Sequence, residues 1–149
     1  MNGIIVRWLP VLAWMIVIFS ASGDRLSFQH TSRIIGPLVR WLFPHATDEA
    51  IHSVVVFVRK GAHVGEYAVL ALLVWRARRK AFGVKPRAWH WSNEARTIFL
   101  VMLYAAADEF HQLFVPSRQA SVWDVLLDTS GAVFALLLLW ALGRWRKWW

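Results

Sequence analysis

Arg59-Lys60-Gly61-Ala62-His63-Val64-Gly65-Glu66-Tyr67 sets a lysine, a histidine and a glutamate inside residues 51–75, a run that otherwise reads as a membrane-spanning helix. An ionisable side chain at membrane depth costs at least about 2.5 kcal/mol on insertion scales, so a chain that keeps several must satisfy or use them. Two more apolar runs are interrupted in the same way. Asp108-Glu109-Phe110-His111-Gln112 lies within 97–115, and Asp124 and Asp128 open 122–143. Residues 4–21 form a fourth run, broken only by Arg7 and Pro10. At about 1.5 Å per residue such runs are long enough to cross a hydrocarbon core of about 30 Å. The fold class expected is an all-α membrane protein: a four-transmembrane-helix bundle forming a single domain over residues 1–149.

Composition agrees. The chain is 58% apolar and holds 11 tryptophans, and Trp8, Trp41, Trp75, Trp123, Trp145, Trp148 and Trp149 fall at or near the ends of the apolar runs. That is the aromatic belt of a membrane protein. Without cysteine there is neither a disulfide framework nor thiolate chemistry. A cleaved leader is the competing reading of 4–21, since Ser20-Ala21-Ser22 offers small residues at its end; a retained span is expected, because a single basic residue precedes the apolar core. Between the first two spans, 22–50 carries Ile34, Ile35, Leu38, Val39 and Leu42 at helical spacing. This reads as a short helix in the membrane interface or a cap on the bundle, interrupted at Gly36-Pro37.

The charges orient the spans. Arg76, Arg78, Arg79, Lys80, Lys85, Arg87 and Arg96 crowd the connection after the second span, and Arg144, Arg146 and Lys147 the C-terminal tail. The other two connections hold Arg25, Arg33, Arg40 and Arg118. By the positive-inside rule both termini face the cytoplasm. The net charge of +8 is therefore a topology signal, and no nucleic-acid partner is expected.

This orientation brings the polar residues of three spans to one level, the outer half of the membrane. Lys60, His63 and Tyr67 share a helix face with Glu66 at its flank; Asp108, His111 and Gln112 share another; Asp124, Asp128 and Gly131 share a third. Arg59, Lys60 and Arg118 face Glu66, Asp108, Glu109, Asp124 and Asp128, which leaves an excess of two negative charges with the histidines neutral. Protons, a charged histidine or a divalent metal could balance it. No cofactor is specified, because the histidine spacings match no dedicated metal signature. The competing account is an ion-pair network that only locks the helices together, although buried ionic networks contribute weakly to stability.

Arg59-Lys60-x-Ala62-His63-x-x-Glu66-Tyr67, then Asp108-Glu109-x-His111-Gln112-x-Phe114-x-Pro116-x-Arg118, then Asp124-x-x-x-Asp128-x-x-Gly131, together with Phe19-Ser20, resemble the signature of the VanZ-like family. Asp128 stands where asparagine is common in that family. The resemblance implies a small multi-pass protein of the bacterial cytoplasmic (inner) membrane, in a family named for a member associated with resistance to the glycopeptide teicoplanin. It implies no defined reaction.

The function expected is action on, or binding of, an amphiphilic, anionic envelope molecule in an outward-facing polar pocket: a lipid head group, a lipid-linked cell-wall precursor or a lipoglycopeptide. His63, Glu66, Asp108 and His111 are the candidate catalytic residues, with a histidine as acid/base oriented by Glu66 or Asp108. Lys60, Tyr67, Glu109, Gln112, Arg118, Asp124 and Asp128 are the candidate substrate-binding residues. Lys60 and Arg118 would take phosphate or carboxylate, and Asp124 and Asp128 would hold Arg118 or a cation. The absence of a serine elbow or a cysteine nucleophile keeps a non-catalytic binding protein as the alternative. A proton-coupled transporter is a further one, weakened by the lack of an internal repeat.

Overall fold

The computed structural model describes residues 3–23, 28–81, 89–115 and 120–148. Five helices account for nearly all of them: α1 (Gly3–Ser22), α2 (Phe28–Leu42), α3 (Asp48–Ala81), α4 (Trp91–Gln112) and α5 (Val122–Trp145). No strand occurs among the described residues.

The apolar runs become α1, α3, α4 and α5, and the interhelical hydrogen bonds fix their directions. Trp14 Nε1 donates to the Glu66 carbonyl at 2.9 Å and Tyr104 Oη donates to the Met15 carbonyl at 2.6 Å, so the middle of α1 touches the middles of α3 and α4. At one end of the bundle Ser22 meets Asp108; at the other Arg78 of α3 meets Asn93 and Thr97 of α4. Thus α3 runs antiparallel to α4, and α1 runs alongside α4. Lys60 beside Asp124 and Val64 beside Gly131 set α5 parallel to α3, while Trp91 against Trp140 sets α5 antiparallel to α4. The first ends of α1 and α4 and the last ends of α3 and α5 lie together. That shared end carries Arg76, Arg78, Arg79, Arg96, Arg144 and Arg146.

Helix α3 is the hub, because among the described residues it packs against each of the other four. Its Tyr67, Leu70, Ala71, Val74 and Ala77 stand at helical spacing and are buried with Val11 and Ile18 of α1, Val101 and Ala105 of α4 and Ala132 of α5. Four alanines in that list, Ala71, Ala77, Ala105 and Ala132, let helix axes approach closely.

The faces turned away from the core are apolar. Ile5, Leu9, Leu12, Ile16 and Phe19 on α1, and Leu126, Phe134, Leu137, Leu138 and Leu142 on α5, are exposed. Both helices are long and apolar enough to cross a membrane, yet only 17% and 28% of their most apolar windows are buried inside the protein. The core helix of a soluble protein would hide most of such a window. Exposed apolar surface of this extent marks a site of contact with a membrane or another protein.

Helix α2 departs from expectation. Gly36-Pro37 does not interrupt it: the helix runs unbroken from Phe28 to Leu42. Pro37 forfeits the hydrogen bond its N–H would give to Arg33. The helix holds because Val39 is buried against Ile51 and Val55 of α3, with Ile35 packed beside them. Ile34, Leu38, Trp41 and Leu42 remain exposed. One edge of the helix therefore caps α3 and the other keeps an apolar stripe suited to an interface.

Candidate functional site

The end of the bundle opposite the arginines gathers the acidic and imidazole groups. Helix α4 brings Asp108, Glu109, His111 and Gln112 to its last turn, and α5 begins with Asp124 and Asp128 one turn apart. Helix α3 packs against both, with Lys60, His63 and Tyr67 at helical spacing. Asp128 lies within electrostatic reach of Glu109, Asp108, Asp124 and Glu66, so the acidic groups of three helices form one cluster.

Three pairings organise it. Asp108 Oδ2 accepts from Ser22 Oγ at 2.5 Å, from Gln112 Nε2 at 3.3 Å and from Tyr67 Oη at 3.4 Å, which ties α1, α3 and α4 to one oxygen. The other oxygen, Oδ1, is buried and accepts no hydrogen bond among the described residues. Glu109 Oε2 accepts the backbone N–H of Ser121 at 2.8 Å. Ser121 is the N-cap of α5, its own Oγ accepting from the Trp123 N–H, so Glu109 sets a negative charge at the positive end of that helix. His63 Nδ1 lies 3.7 Å from Asp128 Oδ1, an ion-pair distance rather than a hydrogen bond.

Exposure falls steeply across the cluster. The Lys60 side chain is 55% exposed, its partner Asp124 at 3.4 Å is 34% exposed, His63 is 21% exposed and Asp128 is 1% exposed. His63 thus stands partly open beside the buried Asp128 carboxyl. His111 is placed differently: its ring lies 4.2 Å from that of Phe19 on α1, and its Nδ1 is buried without a hydrogen bond among the described residues.

The structure draws several of the residues singled out in the sequence to this end of the bundle and shows some of their pairings. His63 pairs with Asp128, where Glu66 or Asp108 was expected to orient a histidine, and Lys60 is the cation beside Asp124. Arg118, expected in both roles, lies outside the described residues, as do Pro116 and Ser117. No three of the described histidines, aspartates and glutamates stand close enough together to hold a metal ion. The cavities at Trp8–Arg78–Glu94 and at Val39–Pro44–Val54 are lined by none of these residues. In the sequence Ser22 reads only as part of the small-residue stretch Ser20-Ala21-Ser22, not as a partner of this cluster. The signal was its place at the end of the first apolar run, level with the acidic motif of α4.

A family model described as VanZ/LLP1 matches residues 7–143, nearly the whole chain. The chain belongs to the VanZ/LLP1 family. No curated protein and no solved structure matches it. The VanZ/LLP1 match includes Phe19, the α3 motif, the α4 acidic motif and Gly131, and the contacts above connect them: Phe19 to His111, Tyr67 to Asp108, Gly131 to Val64.

Proposed function

We propose that this VanZ/LLP1 protein is a four-span protein of the bacterial cytoplasmic membrane with both termini inside, whose outward-facing cluster acts on the anionic head group of an envelope amphiphile. The observation that carries the reading is the His63–Asp128 pair, a partly open imidazole backed at 3.7 Å by a buried carboxyl. An imidazole so held can take a proton from a bound group and return it, the carboxyl steadying the charged ring. Lys60 supplies the anion-binding charge. Its present partnership with the half-open Asp124 is worth about 1 kcal/mol or less, as for other exposed ion pairs, so a phosphate can compete for it.

The distribution of charges supports this topology. The arginine-rich end fits the cytoplasmic side and the acidic end the outer side, where lipid-linked cell-wall precursors and lipoglycopeptides such as teicoplanin are met. Asp108 serves as the tie that fixes α1, α3 and α4 around the pair, with Gln112 and Tyr67 as its donors.

The experiment is incubation of purified protein in nanodiscs with a lipid phosphate and a lipid-linked pyrophosphate, followed by chromatography of the lipids. Turnover that disappears in His63→Ala and in Asp128→Asn supports the acid/base reading. Retention of the lipid without chemical change would make the protein a binder, and the catalytic role would be withdrawn. Neither retention nor change would remove the head-group reading as a whole.

A further inference from the structure

The arginine-rich end contains a cavity of about 680 Å³ between α1, α3 and α4, within the range of small-molecule sites. Arg78, Arg79 and Arg96 line it, and Glu94 is its sole carboxylate among the described residues. Arg78 is fixed: its Nη1 donates to the Asn93 carbonyl at 2.5 Å and to Thr97 Oγ1 at 2.7 Å. A guanidinium carries five N–H donors, so bonds from one nitrogen leave it able to hold an oxyanion as well. The Arg79 guanidinium lies 4.9 Å from the centre of the Trp75 ring. Glu94 is 3% exposed, and burial raises its carboxyl above the ordinary range despite Arg79 and Arg78, which further reduces the negative charge of the cavity.

The remaining wall is apolar. Trp8, Phe99 and Leu100 line it, and Phe99 and Leu100 are 53% and 41% exposed on the outward side of α4. A cationic floor anchored at Arg78 and continuous with an apolar outer face matches a molecule with a phosphate at one end and hydrocarbon at the other. A free anion would leave Phe99 and Leu100 unused.

We infer that this cavity binds the phosphate head group of one anionic phospholipid, whose acyl chains lie along Phe99 and Leu100. The leaflet it comes from rests on the spanning topology proposed above. The site uses none of the residues of the acidic end, so its failure would leave that reading standing.

The test is native mass spectrometry of the full chain released from detergent after incubation with equal amounts of phosphatidylglycerol and phosphatidylcholine. One phosphatidylglycerol should be retained in roughly tenfold preference. The preference should vanish in Arg79→Gln/Arg96→Gln, checked for an unchanged unfolding temperature, and persist in His63→Ala. Arg78 is left intact because it also joins α3 to α4. If the double variant unfolds, the two single variants take its place. Equal retention of both lipids by the unaltered protein, or a preference that survives removal of the arginines, would overturn the inference. Displacement of the lipid by millimolar inorganic phosphate would assign the cavity to the free anion and likewise end the lipid proposal.

Discussion

Gly131 of α5 lies directly against the Val64 carbonyl of α3. A Cβ at residue 131 would overlap that oxygen and lie 3.0 Å from the carbonyl carbon and 3.1 Å from Cα. Backbone cannot swing aside as a long side chain can. This contact sits one residue from His63 and three from Asp128, so the glycine sets how closely the two halves of the pair approach.

Gly131→Ala should therefore force α3 and α5 apart, at about 1–3 kcal/mol for overpacking and toward the upper end because backbone is met. Gly65→Ala is the control: nothing lies within 4 Å of its added methyl, and alanine favours a helix, so stability should hold or rise. Thermal unfolding in detergent compares them. Equal midpoints for the two variants would contradict the close approach.

Asp108→Ala should be the most destabilising change in the cluster. It leaves the Ser22, Tyr67 and Gln112 donors without their acceptor, at about 1–3 kcal/mol for each buried donor left unmade. A loss of about 3 kcal/mol or more is expected, against about 1 kcal/mol for Gln112→Ala. A double-mutant cycle of Asp108→Ala with Tyr67→Phe should show coupling; strict additivity would mean that the 3.4 Å contact carries nothing.

Asp128→Asn should keep the fold and remove the function. The side chain is buried, neither oxygen accepts a hydrogen bond among the described residues, and the neutral amide has nearly the same shape. Unfolding should change by less than about 1 kcal/mol, since no strong partnership is lost. Any lipid turnover should fall at least about tenfold. Full activity in the variant would free His63 from needing a carboxyl behind it.

At the arginine end, Glu94 gives a pH dependence. Burial raises its carboxyl in the folded chain, Arg79, Arg78 and His90 acting against the rise. The folded state then binds the proton more tightly than the unfolded one. Stability contributed by this group is present below the ordinary glutamate range and declines as pH rises through the raised value. Unfolding temperature measured against pH should show that decline, and Glu94→Gln should flatten it.

Topology is open to a clean test because the chain contains no cysteine. Single cysteines replacing Thr47 or Ser121 should react with an impermeant thiol reagent applied to intact cells. Those replacing Ser92 or Arg144 should react only after the cells are opened. The reverse pattern would invert the proposed orientation.

Sequence alone determined the helical runs, their order and the gathering of acidic groups from three of them. Those are consequences of apolar run length, and of the expense of ionisable groups within such runs, both local properties of the chain. It also placed the VanZ-like motifs on α3, α4 and α5. The helix through Gly36-Pro37 was not legible, because local proline chemistry argues for a break and only the packing of Val39 and Ile35 on α3 overrides it. Partnership was not legible either. Helical spacing tells which residues share a face, but not which face it meets, and nothing in the sequence says that His63 looks at Asp128 or that Ser22 reaches Asp108 across 86 residues. Those pairings depend on the rotation and depth of each helix, which the mutual packing of α1, α3, α4 and α5 decided, through contacts as close as Gly131 on Val64.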